Sequence, residues 1–328
     1  MRVVRLFLFP ISIAYAIVVY VRNFLFDVGI FKSNTFKTPT ICVGNLSVGG
    51  TGKTPMIEYL AQLLSLENKI AVLSRGYGRK SKGFQIATKN STVEILGDEP
   101  YQIHLKFPEI TIAVDGNRSN GIKILEETIK PTIILLDDAF QHRKVKPKFS
   151  ILLTAYGNLY VDDWYLPTAS LRDAKNQSKR ADIIVVTKCM PTISEEEQQR
   201  IIQKLKPLGH QKVFFSFLKY PEDVKSENHS ISLDTLKGKE ITLVTGIANP
   251  KPLVSFLVEN GIKTSHLPYR DHHFFTEEEI ALFNSKDFIL TTEKDYVRLK
   301  GKVKNVYYLG IAHEFKGDGK QLFEAAIL

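Results

Sequence analysis

The sequence predicts an α/β protein: a mostly parallel sheet sandwiched by helices, a second, smaller α/β unit behind it, and an apolar N-terminal helix that meets a membrane. Three observations predict this. From about residue 40 to residue 206, short apolar runs that end in polar turns alternate with helix-period segments. The same alternation resumes after a polar stretch at 219–238. Ahead of both lies a basic, apolar leader. The expected division is 1–31 for the membrane-associating helix, 32–225 for the larger unit and 226–328 for the smaller one.

The organising stretch is TPTICVGNLSVGGTGKTPMIEYLAQLL. Its apolar run Ile41-Cys42-Val43 reads as a strand, and Met56, Leu60, Leu63 and Leu64 give the following segment helical spacing. The glycine-rich turn between them has the order of a phosphate-binding loop. Backbone N–H groups around Gly49, Gly50, Thr51 and Gly52 can wrap a phosphate chain, because glycine tolerates the φ angles required. The helix N-terminus adds the positive end of its dipole. Lys53 would reach the β- and γ-phosphates, and the Thr54 hydroxyl would ligate Mg²⁺. In G-x-x-x-x-G-K-[ST] the first glycine falls on Ser47, so the strict pattern is missed while the phosphate-touching part is kept. The larger unit is therefore expected to be of the P-loop NTPase type, with ATP and Mg²⁺ as cofactors.

Composition sets wide bounds. The chain has 328 residues, 44% apolar and 24% charged, enough to bury a sizeable core in more than one domain. A formal net charge of +9 points to anionic partners, whether nucleic acid, phosphorylated substrate or acidic membrane. Cys42 and Cys189 stand in apolar, strand-like contexts without C-x-x-C spacing, as small buried residues of a reducing compartment would.

In chain order, Leu6 to Val21 is uncharged between Arg2 and Arg5 before it and Arg22 after it. A straight helix of that length covers ~24 Å, short of a ~30 Å hydrocarbon core. A membrane-dipping anchor, a true span and a buried core helix all remain open; Tyr15, Tyr20, Phe24 and Phe26 suit an interface. Ile70–Ser74 reads as a strand feeding the basic turn Arg75-Gly-Tyr-Gly-Arg79, at a position where doubly wound sheets bind ligands. Asp98 and Glu99 open a helix, where a plain N-cap competes with a functional role. Asp115-Gly-Asn-Arg118 is another polar loop, and Arg118 could bridge phosphates or be a surface charge. Thr132–Leu136 followed by Asp137-Asp138 describes a central strand delivering carboxylates, the place where P-loop enzymes hold Mg²⁺. Nearby, His142 reads as an orienting or structural residue. Arg172 is a fork donor in a loop, able to stabilise a transferring phosphoryl group. In the smaller unit, Asp271-His272-His273 precedes a helix capped by Thr276 with Glu279 three residues on. A general acid–base role is open to His272, and surface histidines are the alternative.

Taken together, GNLSVGGTGKTP, SRGYGR, GDEP, DGNR, DDAFQH, LRD and the late DHH run resemble the tetraacyldisaccharide 4'-kinase family of lipid A biosynthesis. The resemblance implies a monomeric P-loop kinase on the cytoplasmic face of the inner membrane, monotopic or peripheral. It implies phosphorylation by Mg-ATP of the 4'-hydroxyl of a tetraacylated glucosamine disaccharide 1-phosphate. Asp98 then matches the catalytic base and His272 its partner from the second domain. Lys53 and Thr54 match the phosphate and magnesium positions; Asp137 and Asp138 match the acidic pair. Arg118, Gln141, Arg172 and Asp173 fall in motifs near the nucleotide. Ala139 replaces the usual glycine and Asp173 the commoner glutamate. Two rivals are weighed beside it. A membrane-associated ATPase or GTPase switch without a lipid acceptor is one, although Thr187-Lys188-Cys-Met lacks a base-reading aspartate. A nucleic-acid binder is the other, and no basic–aromatic motif supports it.

Overall fold

The computed structural model describes residues 2–227 and 229–328, with side chains from residue 8 onward. A nine-stranded sheet holds the larger unit, in the order Ala312–Phe315, Lys212–Lys219, Ile183–Thr187, Phe149–Ala155, Thr40–Asn45, Ile133–Asp137, Ile70–Ser74, Thr111–Val114 and Gln85–Ile86. Its interior pairings are parallel and its two edge strands run antiparallel. Thr40–Asn45 is buried at every position, because parallel neighbours flank it on both sides and helices cover both faces. On one face the helix Lys53–Leu64 seats Met56, Ile57, Leu60 and Leu64 on Val43, Val72, Leu135 and Leu153. On the other, Ile122 and Leu125 of Arg118–Thr128 and Ile201 of Glu195–Leu205 share a core with Leu73, Leu136 and Val186.

A six-stranded sheet forms the smaller unit, ordered Ser230–Ser232, Asp223–Lys225, Val306–Leu309, Ile289–Thr292, Glu240–Thr245 and Lys263–Pro268. Its helices include Lys251–Glu259 and Glu277–Asn284, and Thr276 and Glu279 form the expected capping box. The expected division at 225/226 differs from the path of the chain at both ends. Asp223–Lys225 already belongs to the small sheet, and the last strand and the helix Gly319–Ile327 return to the large one. The return has a physical cause: Phe315 and Phe323 stack at 4.5 Å and close over Phe214 and Tyr59, covering what would be an open apolar edge.

The two sheets are tied by the helices Asp98–Lys106 and Glu293–Leu299, which pack on each other. Lys106 sits between Glu58 (2.5 Å) and Glu293 (3.1 Å), joining the helix of the phosphate loop to the smaller unit. The long helix Arg2–Asp27 docks along one flank. Ser12 meets Thr168 at 2.5 Å, Tyr15 donates to the Arg172 carbonyl (3.0 Å), Arg22 to that of Gln141 (2.7 Å) and Asn23 to Asp173 (2.7 Å). Its opposite side leaves Ile11, Ile13, Ile17, Val18, Val21 and Phe24 exposed, so the buried-core-helix alternative does not describe it.

One close approach is decisive for the central strand. A Cβ on Gly44 would fall 2.5 Å from the Phe140 Cβ. Gly44→Ala should cost ~1–3 kcal/mol by overpacking and lower Tm in a thermal melt, whereas Gly209→Ala, with no atom in the way, should leave Tm nearly unchanged.

Candidate active site

The phosphate loop is set by its two left-handed glycines and by a buried asparagine. Gly49 (φ 111°) and Gly52 (φ 85°) supply conformations that an L side chain resists. Asn45, the last residue of the central strand, donates to Thr51 Oγ1 (2.9 Å) and accepts from Lys53 Nζ (3.5 Å) and from Arg172. Its backbone carbonyl accepts from the Gln141 amide at 2.8 Å. Thr187 donates to the Thr51 carbonyl at 2.8 Å. The Gly52 carbonyl accepts from His313 Nε2 (2.9 Å), and His313 Nδ1 pairs with Ser216 Oγ (3.0 Å). Since a carbonyl only accepts, Nε2 carries the proton and Nδ1 takes the serine hydroxyl's. Burial holds the His313 pKa down to about 4, so the ring is neutral.

The acidic pair divides in role. Asp137 Oδ2 accepts from Ser74 Oγ at 2.8 Å, while Oδ1 is buried without a partner among the described residues. Burial, with Glu99 and Asp138 adding to it, pushes the Asp137 carboxyl up. Asp138 adopts φ 47°, unusual for a non-glycine residue, and both its oxygens accept from Arg172, with Lys53 Nζ at 3.8 Å. Burial opposes its charge, but Lys53 and Arg172 outweigh it and keep its pKa low. Buried Arg118 donates to the carbonyls of Asp115 (3.0 Å) and Asp137 (3.2 Å), bracing the strand end. Lys188 stands at φ 58° with its ammonium 3.8 Å from where a Gly50 Cβ would be.

Asp98 lies at the same carboxyl end of the sheet, because Gly97 (φ 89°) packs on the turn after Ile70–Ser74; a Cβ there would come 2.7 Å from the Tyr77 carbonyl. The plain N-cap alternative fails: Gly97 is the cap residue, and the Asp98 carboxylate reaches into the smaller unit. Its Oδ2 meets His272 Nδ1 at 2.6 Å, and Arg298 donates to both oxygens. Burial raises the Asp98 pKa, yet His272 and Arg298 overcome that and hold it down to about 2. His272 adopts φ 61°, with the Tyr77 ring 5.4 Å away. His273 pairs instead with Glu279 (2.8 Å).

Most of the expected site residues thus gather at one sheet end: Gly49 to Thr54, Asp137, Asp138, Arg118, Gln141 and Arg172 around the loop, and Asp98 with His272 beside them. Asp173 does something else. It is buried, held by Asn23 (2.7 Å) and near Arg180 (4.0 Å), so its visible work is to seat the N-terminal helix. His142 is buried in part and kept neutral, its pKa lowered to about 4 by burial and by Arg118. Sequence reasoning missed Asn45, His313, Lys294 and Arg298. The last two lie in Thr292-Glu-Lys-Asp-Tyr-Val-Arg298, whose only local signal is a helix start at Thr292. Among the described residues no group of three acidic, histidine or cysteine side chains is arranged to hold a metal ion by itself.

Comparison with known proteins is consistent along the chain. A sequence model of the Tetraacyldisaccharide-1-P 4'-kinase family matches residues 4–328. The Tetraacyldisaccharide 4'-kinase of Flavobacterium johnsoniae is 48% identical, over 100% of this chain and 97% of that one. That of Bacteroides thetaiotaomicron is 44% identical, over 89% and 82%. The solved structure of LpxK from Aquifex aeolicus in complex with ATP superimposes with a TM-score of 0.81 at 30% identity, covering 99% of this chain and 98% of that one.

The buried histidine gives a pH test of the loop's support. The folded His313 pKa lies below its ordinary 6.5, so its stabilising contribution is full above about 6.5 and is lost as pH falls toward about 4. In melts at a series of pH values, His313→Gln should lose less Tm than wild type across that window.

Proposed function

The chain belongs to the tetraacyldisaccharide-1-P 4'-kinase family and is an ATP-dependent kinase of lipid A biosynthesis, acting on the 4'-hydroxyl of a tetraacylated glucosamine disaccharide 1-phosphate; we propose that Asp98 is its catalytic base. The observation that carries this is an ionised, buried carboxylate at the same sheet end as the phosphate loop, paired at 2.6 Å with a histidine from the other unit. The alternative of a switch that turns over nucleotide without a lipid acceptor has no support in these likenesses.

In this reading the loop N–H groups and Lys53 hold the β- and γ-phosphates of ATP. As the sugar oxygen bonds to the γ-phosphorus, its proton passes to Asp98 and the bond to the β,γ-bridging oxygen breaks, leaving ADP. Arg172, oriented by Asp138 and Asn45, places positive charge where the phosphoryl oxygens gain it. The residues fit Mg²⁺: Asp137 Oδ1 is a buried acceptor without a partner among the described residues, and the Thr54 hydroxyl follows Lys53 in the loop. When bound, the ion neutralises charge on the phosphates. Asp138 is the poorer ligand, since Arg172 engages both its oxygens. Because His272 comes from the smaller unit, the pair with Asp98 exists only with the two units together, which keeps water from the γ-phosphate.

We place the protein as a monomer on the inner leaflet, at the cytoplasmic face, monotopic or peripheral. Support comes from the N-terminal helix, whose apolar side is exposed while its other side holds the Arg172 and Gln141 backbone. The site would then stand at the height of the lipid headgroups.

With ATP and purified disaccharide 1-phosphate in detergent, mass spectrometry should find one added phosphate; Asp98→Ala should lower kcat by ~10²–10⁴-fold with little change in nucleotide affinity. Wild-type turnover in that variant would refute the base assignment. Replacing Ile17 and Val18 by Asp should release the protein from anionic vesicles in a flotation assay; undiminished flotation would refute the docking side assigned to the helix.

A further inference from the structure

Two of the cations that the mechanism leaves unused sit on one short helix, Glu293–Leu299. Arg298 is 5% exposed and each of its nitrogens is tied. Nε donates to Asp98 Oδ1 at 2.9 Å and Nη2 to Oδ2; Nη1 donates to the His273 carbonyl (3.1 Å) and to Asp295 Oδ1 (3.2 Å). Asp295 is itself fixed by the Gly246 N–H (2.8 Å) and the Thr292 hydroxyl (2.7 Å). The glycine is required there, since its Cβ would lie 2.9 Å from Asp295 Oδ1. One turn earlier on the same helix face, Lys294 Nζ lies 3.1 Å from His272 Nε2 and 3.1 Å from Asp271 Oδ1.

Donor and acceptor counting turns these contacts into roles. Each carboxylate oxygen offers two lone pairs. On Asp98, Oδ2 spends both on Arg298 and His272, whereas among the described residues Oδ1 accepts only from Arg298. One acceptor position therefore remains on Oδ1. The carboxylate cannot donate, so His272 Nδ1 must; the Lys294 ammonium cannot accept, so Nε2 must. These contacts make Nδ1 the donor and Nε2 the acceptor of the His272 ring.

We propose that Arg298 and Lys294 are the positioning residues of the catalytic pair. Arg298 presents Oδ1 as the one atom able to take the acceptor's proton, and Lys294, donating to Nε2, holds the His272 ring in the orientation that points Nδ1–H at Asp98. The inference rests on Asp98 being the base. A carboxylate kept so acidic is a weak base, but the loose transition state of phosphoryl transfer asks for proton removal late and for orientation early. The other charged groups facing the pair are Glu99, 3.9 Å from Lys294, with Asp271 beside the histidine and Asp295 behind the arginine.

The test combines pH profiles of kcat/KM with ¹⁵N NMR of the imidazoles. Arg298→Gln should bring the acid limb upward by about one unit or more, ~10-fold in rate on that limb, with KM for ATP unchanged; Arg298→Lys should restore the limb. In wild type, the His272 signals should show a protonated Nδ1 and a bare Nε2, and Lys294→Met should move the Nε2 resonance as that acceptor loses its donor, and lower kcat. A folded Arg298→Gln enzyme with the wild-type acid limb, or a wild-type His272 protonated on Nε2, would overturn the proposal. If Arg298→Gln does not fold, the Lys294→Met and NMR results decide alone. Asp98→Ala separates the two failures: full kcat there sinks the base reading itself, whereas a collapsed kcat with unmoved Arg298→Gln and Lys294→Met profiles sinks only the positioning roles.

Discussion

A buried ion pair between the two units governs the rest of the structure: the Asp98 carboxylate, gripped by Arg298 and met by His272. Burying two charges costs desolvation energy that their attraction only partly offsets, so such a pair is weak evidence for stability and better understood as fixing geometry. The geometry fixed here is the relation of the smaller sheet to the phosphate loop. The helix that carries Arg298 also carries Glu293, which meets Lys106 and, through it, Glu58 on the helix of the loop. One short helix therefore reads the position of Asp98 at one end and of the loop's helix at the other. Loss of either contact would leave a buried charge without its partner.

The N-terminal helix has a similar double character. Its length and apolarity fit a membrane, yet Tyr15, Arg22 and Asn23 reach the backbone or side chains of the Gln141 and Arg172–Asp173 segments. Those same segments present Arg172 to Asp138 and the Gln141 amide to Asn45. The side of the helix proposed to face lipid is thus mechanically adjacent to the site. On that proposed placement the net charge of +9 would favour an anionic bilayer and a phosphorylated lipid together.

Much of this was legible in the sequence, for reasons that differ by element. The loop and the acidic strand end announce themselves because glycine tolerance and parallel-strand burial impose local patterns. Asp98 and His272 were another matter. Residue spacing left a helix cap and surface histidines open, and the family resemblance assigned the pair; the structure shows Gly97 as the cap and the carboxylate pointing elsewhere. Arg298 and His313 could not be read at all. Arg298 meets a partner 200 residues away and His313 one 261 residues away, and neither contact leaves a local period or spacing. The final strand was hidden for the same reason, since its partner is an edge far upstream and its four residues carry no strand signature. Asp173 shows the converse: its motif drew it toward the nucleotide, while its contacts serve the N-terminal helix.

The most direct measurement is a structure of the enzyme with a non-hydrolysable ATP analogue and the disaccharide acceptor. The 4'-oxygen should lie within hydrogen-bond reach of Asp98 Oδ1, ~2.6–3.2 Å, with the Arg298 pair intact and the γ-phosphorus in line behind it. An acceptor hydroxyl engaged by some other group, with Asp98 out of reach and still locked to Arg298, would contradict it.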